Sequence, residues 1–100
     1  MGIRIDLYKR EDIGREIRYI PLMDEFLNSE ELADRLTWSV DLAGKGDESG
    51  VFGFVSYETL KEIANNTEVL NDMSVEDFDM FCKAVKESKE EFGCYVAVLN

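Results

Sequence analysis

The stretch Ser74–Leu99, SVEDFDMFCKAVKESKEEFGCYVAVL, carries the two strongest local patterns in the chain, and the fold class follows from reading them together. Ser74-Val75-Glu76-Asp77 resembles a capping box, with Asp where Glu or Gln is usual. Phe78, Phe81, Cys82, Val85 and Phe92 then fall on one stripe at spacings of three, four and seven, which predicts an amphipathic helix over 75–92. Gly93 is placed to end it. Cys94–Leu99 is apolar on both faces, so it suits an interior strand rather than an exposed edge. A helix running straight into a two-sided strand implies a helical layer on a sheet.

Working towards the N-terminus, Ser56 is placed to cap a helix over Tyr57–Ala64, which Asn65-Asn66 can stop in a left-handed turn. Val51–Val55 reads as a strand, and Gly44–Gly50 before it is loop chemistry throughout. Trp38, Val40 and Leu42 alternate with Thr37, Ser39 and Asp41, which predicts a strand paired with 51–55 as a hairpin. Asn28-Ser29 reads as a cap, with Glu30 and Glu31 in the first turn of a helix running to about Leu36. Pro21 is suited to open a short helix over Leu22–Leu27. Residues 9–20 fit either a helical face (Ile13, Ile17, Ile20) or a short strand (Ile17, Tyr19). Ile3, Ile5 and Leu7 alternate with Arg4, Asp6 and Tyr8 as a half-buried first strand.

The expected fold is therefore α+β in a single domain spanning 1–100. It has a small, mostly antiparallel sheet of about four strands with helices packed on one face. The element order matches the ferredoxin-like βαββαβ order with one extra helix. A chain of 100 residues with 45% hydrophobic and 11% aromatic residues can fill one core.

Charge is the most unusual property. Eleven Lys and Arg against twenty-two Asp and Glu give a net charge of −11. Residues 1–20 carry four acids and five bases, so the acidity belongs entirely to the chain after Pro21. A field of this sign repels nucleic acid and anionic membrane and favours basic partners. The start of the chain lacks the apolar core of a signal peptide and no apolar run approaches bilayer length, so the expected location is the cytoplasm.

There is no histidine. That removes the usual general base at neutral pH, imidazole-activated nucleophiles and the commonest zinc ligand. Cys82 and Cys94 are separated by most of a helix, too far for a disulfide, and read as reduced core thiols. Gly44-Lys45-Gly46 is not a phosphate loop, because Gly follows the lysine, a strand follows the loop, and Asp47-Glu48 would repel a phosphate. No motif points to a catalytic residue, a metal site or a cofactor.

Two acidic clusters are the candidate partner-binding sites. One is Glu30, Glu31 and Asp34, with only Arg35 nearby to neutralise them. The other is the polar side of the last helix, Glu76, Asp79, Glu87 and Glu91, where Met80 and Ala84 put apolar surface among carboxylates. The spacings Asp79–Lys83, Lys83–Glu87 and Lys86–Glu90 make the second cluster the better self-paired.

The expected function is a non-enzymatic acidic binding or inhibitor protein that presents carboxylates to a basic protein surface. A nucleic-acid mimic, an immunity-type inhibitor of a toxin and an adaptor all fit that description, with no direct binding to nucleic acid or membrane. The alternatives are a small enzyme or ligand-binding domain using Tyr8, Tyr19, Tyr57 or Tyr95 with an acid in a pocket, or a divalent-cation site at a carboxylate cluster. The two-sided last strand fits a monomer or a homodimer.

Overall fold

A computed structural model describes residues 2–40 and 50–99. It is an α+β molecule in which four antiparallel strands, in the spatial order β2-β1-β4-β3, carry the helices on one face. Along the chain come β1 (Arg4–Ile13), β2 (Glu16–Pro21), α1 (Glu30–Ser39), β3 (Gly50–Ser56), α2 (Tyr57–Ala64), α3 (Thr67–Asn71), α4 (Val75–Ser88), a 3-10 turn (Lys89–Glu91) and β4 (Gly93–Leu99). This order differs from βαββαβ, because the first two strands form a hairpin and the described part of the expected strand at 37–42, residues 37–40, is the end of a helix.

Residues 9–20, ambiguous in sequence, are the arms of that hairpin. Ile13 faces Glu16 across a two-residue turn, and Gly14 supplies the positive φ of 63° that such turns require. Pro21 ends β2 rather than opening a helix. Residues 22–27 follow β1 instead: Leu22 N–H donates to Leu7 O at 2.9 Å, and Leu27 exchanges both backbone hydrogen bonds with Ile5. Six residues of helix could not offset the loss of that pairing, since short helices are marginal on their own.

The expected strand over Thr37–Leu42 is overturned in its described part. Thr37, Trp38 and Ser39 complete α1, Val40 caps it, and residues 41–49 lie outside the described region along with most of the predicted Gly44–Gly50 loop. Leu32, Ala33, Leu36 and Val40 are buried at helical spacing, and that stripe outweighs the local alternation of 38, 40 and 42. Freed from the predicted hairpin, β3 pairs with β4, placing Phe54 opposite Tyr95 and Val55 opposite Cys94. β4 is interior, between β1 and β3, as its two-sided apolarity requires.

The helix starts follow their side-chain caps. Ser29 Oγ accepts from Leu32 N–H at 3.1 Å, Ser56 Oγ from Thr59 N–H at 3.3 Å and Ser74 Oγ from Asp77 N–H at 3.1 Å. Each such cap is worth about 1 kcal/mol. Asn65 ends α2 with φ −94°, not in a left-handed turn.

α4 stops at Ser88, earlier than the pattern predicts, and the left-handed residue is Phe92 (φ 60°) rather than Gly93. Phe92 therefore leaves the apolar stripe and stands 81% exposed. Gly93 is needed for another reason: a Cβ there would lie 2.3 Å from Val55 O. Ile5, Leu7, Val55, Cys94, Val96 and Val98 from the sheet meet Leu32, Leu36, Leu60, Ile63, Phe81 and Val85 from the helices in one core. Each buried aliphatic or aromatic side chain contributes roughly 1.5–3 kcal/mol.

Candidate functional site

Because the helices cover only one face of the sheet, the molecule has two dissimilar surfaces. The helical side carries the acidity. On α1, Glu30 and Asp34 are exposed, while Glu31 is drawn into a bridge: Arg35 contacts Glu31 at 3.5 Å and Glu68 of α3 at 3.2 Å. One guanidinium thus neutralises acids from two helices, and Glu68 is the partner that sequence spacing could not reveal.

A second acid from the α3 end completes the start of α1. Asp72 accepts from Ser29 Oγ at 2.8 Å and from Glu31 N–H at 3.1 Å. The hydroxyl bond, aided by the amide, holds the Asp72 carboxyl below its ordinary value of 3.8.

Between α1 and α2 runs a groove of about 470 Å³ lined by Asp34, Arg35, Trp38, Ser39, Thr59, Glu62, Ile63 and Asn66. Trp38 is 83% exposed, and no ion pair involves Asp34 or Glu62 among the described residues. Of the predicted site residues, Asp34 lines this groove and Glu31 reaches it through Arg35. Trp38 and Glu62 are not among them: the strand pattern over 37–42 conceals that Trp38 lies on the exposed side of a helix.

The members of the second predicted cluster differ in their surroundings. Asp79 is held by Lys83 at 3.2 Å, and Glu76 and Glu87 are exposed on α4. Met80 is half-buried against the core and Ala84 is completely buried, so Ala84 contributes nothing to an exposed apolar spot. Glu91 lies past the end of α4, in a notch lined also by Lys9, Arg10 and Glu11 of β1. α2 packs against both α1 and α4 and so lies between the two clusters.

The helix-free face of the sheet bears an aromatic cluster. Tyr19, Phe52 and Tyr95 form a triangle with ring centroids 5.2, 5.2 and 5.7 Å apart. Phe54 lies 5.3 Å from Tyr95, and Tyr8 lies 6.4 Å from Phe52. Arg10 donates to Tyr95 Oη at 3.4 Å and to Asp12 at 2.9 Å, which keeps its guanidinium firmly protonated. Arg4 donates to Asp6 at 2.9 Å and lies over the ring of Phe26. Each arginine on this face is matched by an aspartate, so the face is locally neutral. Tyr57 is on α2 and takes no part in it.

Cys82 and Cys94 are both unbridged. Burial pushes the Cys94 thiol up to about 12, and burial together with Asp79 raises that of Cys82. Among the described residues, no three carboxylate or thiol side chains converge as a metal site would need. No helix among them is long and apolar enough to cross a membrane. Comparisons with protein-family models, with curated proteins and with solved structures each found no match to the chain.

Proposed function

We propose that this is a non-enzymatic binding protein that presents carboxylates to a basic protein surface, with the α1–α2 groove as the docking site. The observation that carries this reading is Trp38, 83% exposed beside Asp34 and Glu62. A large ring flanked by acids that have no ion pair among the described residues has the composition of an interaction hot spot, since Trp anchors are over-represented in such spots and acids steer a cationic partner. The net charge of −11 extends that steering over the whole helical side, to which Glu30, Glu76, Asp79 and Glu87 contribute. A nucleic-acid-binding protein or a basic toxin fits as the partner. The two unbridged thiols agree with a reducing cytoplasm.

Trp38 is the sole tryptophan, so its fluorescence reports on the groove directly. Lys- and Arg-rich peptides carrying one apolar residue are expected to blue-shift its emission at low salt. Glu- and Asp-rich peptides of the same length are not. The shift should weaken in the Asp34→Asn/Glu62→Gln double variant and fade as ionic strength shortens the Debye length. Binding that survives high salt unchanged would rule out the electrostatic reading.

A second reading concerns the helix-free face, where Tyr8, Tyr19 and Tyr95 converge with Arg10 as a ligand-binding domain would require. A flat aromatic acid is the chemistry it fits, and quenching of tyrosine emission by such compounds, lost in Arg10→Ala, tests it.

A further inference from the structure

β2 lies at one edge of the sheet, and all six of its residues are exposed. Its side chains leave apolar surface on both faces. Ile17 and Tyr19 stand on the helix-free side, and Ile20 stands on the other, opposite Lys9 of β1. A hairpin that buries neither face is marginal in isolation, and an apolar outer strand is a template for pairing.

The ladder phase shows which backbone groups are available. In a two-residue hairpin the closing pair, here Ile13 and Glu16, is hydrogen-bonded, and such pairs then alternate along the arms. Leu22 N–H donating to Leu7 O fits that phase, which also makes Glu11–Arg18 and Lys9–Ile20 bonded pairs. Ile17 and Tyr19 consequently turn their N–H and C=O groups away from β1, towards the open edge.

We propose that this edge is a homodimer interface, in which β2 pairs antiparallel with β2 of a second copy about a twofold axis at Ile17. Axes at Ile17, Arg18 and Tyr19 each keep like faces together. An axis at Arg18 sets Arg18 against the partner's Arg18, and an axis at Tyr19 sets it against the partner's Ile20. Only the axis at Ile17 places Glu16 opposite the partner's Arg18, twice by symmetry, with Ile17 against the partner's Ile17 and Tyr19 beside the partner's Arg15.

Charge distribution selects a second copy as the occupant. Residues 1–20 carry five bases against four acids, whereas the rest of the chain is net negative. Pairing through β2 joins the two molecules at their least acidic elements and holds the acidic helical layers apart. A six-residue strand pair is small for an interface, so dissociation on the order of tens of micromolar is expected.

Sedimentation of the full chain tests this. The mass should rise from 11.5 kDa towards twice that value as concentration increases through the micromolar range. Glu16→Arg and Arg18→Glu should each remain monomeric, because each sets like charges across the axis. Their equimolar mixture should dimerise, because the charges are again complementary. Circular dichroism of each variant establishes that it is folded. A wild-type mass of 11.5 kDa at every concentration overturns the proposal. So does self-association of either single variant at wild-type strength, or a mixture no more dimeric than its components.

Discussion

Ser29 Oγ donates to Asp72 Oδ2 at 2.8 Å, so the residue that caps α1 is itself held by the residue that ends α3. The hydroxyl accepts from Leu32 N–H while it donates to the carboxylate, and Asp72 takes the Glu31 amide as well. One side chain from a short distant helix thereby completes the N-terminus of α1, where a negative charge is favourable.

Replacing Asp72 with Asn should lower the thermal midpoint at neutral pH. The folded-state carboxyl lies below its ordinary value of 3.8. Its contribution is therefore present above that value and is lost as pH falls through the lower folded one. The gap between wild type and Asp72→Asn should close in acid, as thermal melts at several pH values would show. A gap that stays constant into strong acid would mean the hydrogen-bond geometry, not the charge, is what matters.

Cys94 provides the opposite pH dependence. Between its ordinary value of 9.0 and about 12, the unfolded chain gives up a proton that the folded chain keeps. Stability is complete below that window and falls as pH rises through it, by at most about 4 kcal/mol. Urea titrations at rising pH should show the loss in wild type and much less of it in Cys94→Ala. At pH 8 a thiol reagent should label Cys82 slowly and Cys94 only on unfolding.

Phe92 and Gly93 should respond in opposite directions. Phe92 holds a left-handed φ of 60° with its ring largely in solvent, so Phe92→Gly relieves strain and loses little packing. A gain of about 0.5–1 kcal/mol is expected, and Phe92→Val, branched at Cβ, should lose a similar amount. Gly93→Ala drives a Cβ into Val55 O, between paired strands, and should destabilise by several times that amount. Chemical denaturation of the three variants checks the ranking.

The aromatic triangle predicts a measurable coupling. Tyr19 and Phe52 come from the two outer strands, yet their rings meet edge-on at 5.2 Å. A double-mutant cycle with Tyr19→Leu and Phe52→Leu should return about 0.5–1.5 kcal/mol. A value near zero would mean that the hairpin does not hold Tyr19 over the sheet.

What the sequence alone determined was local. Ser29, Ser56 and Ser74 marked three helix starts, because a cap depends on residues three apart. The two-sided apolarity of Cys94–Leu99 placed β4 in the sheet interior, because both of its faces need cover. The absence of histidine and the charge partition at Pro21 are properties of composition that no fold can alter.

Tertiary structure decided whatever depended on distant partners. Trp38 looks inward on a strand until Leu32, Leu36 and Val40 are seen to share a buried helical stripe, which turns it outward into the groove with Glu62. Arg35 was expected to serve its own helix, and it also takes Glu68 from α3. Residues 9–27 carried no decisive period, since hairpin arms exposed on both faces leave no apolar alternation to read. Their pairing was settled by hydrogen bonds to β1, which connect residues too far apart in the chain for any local pattern to announce.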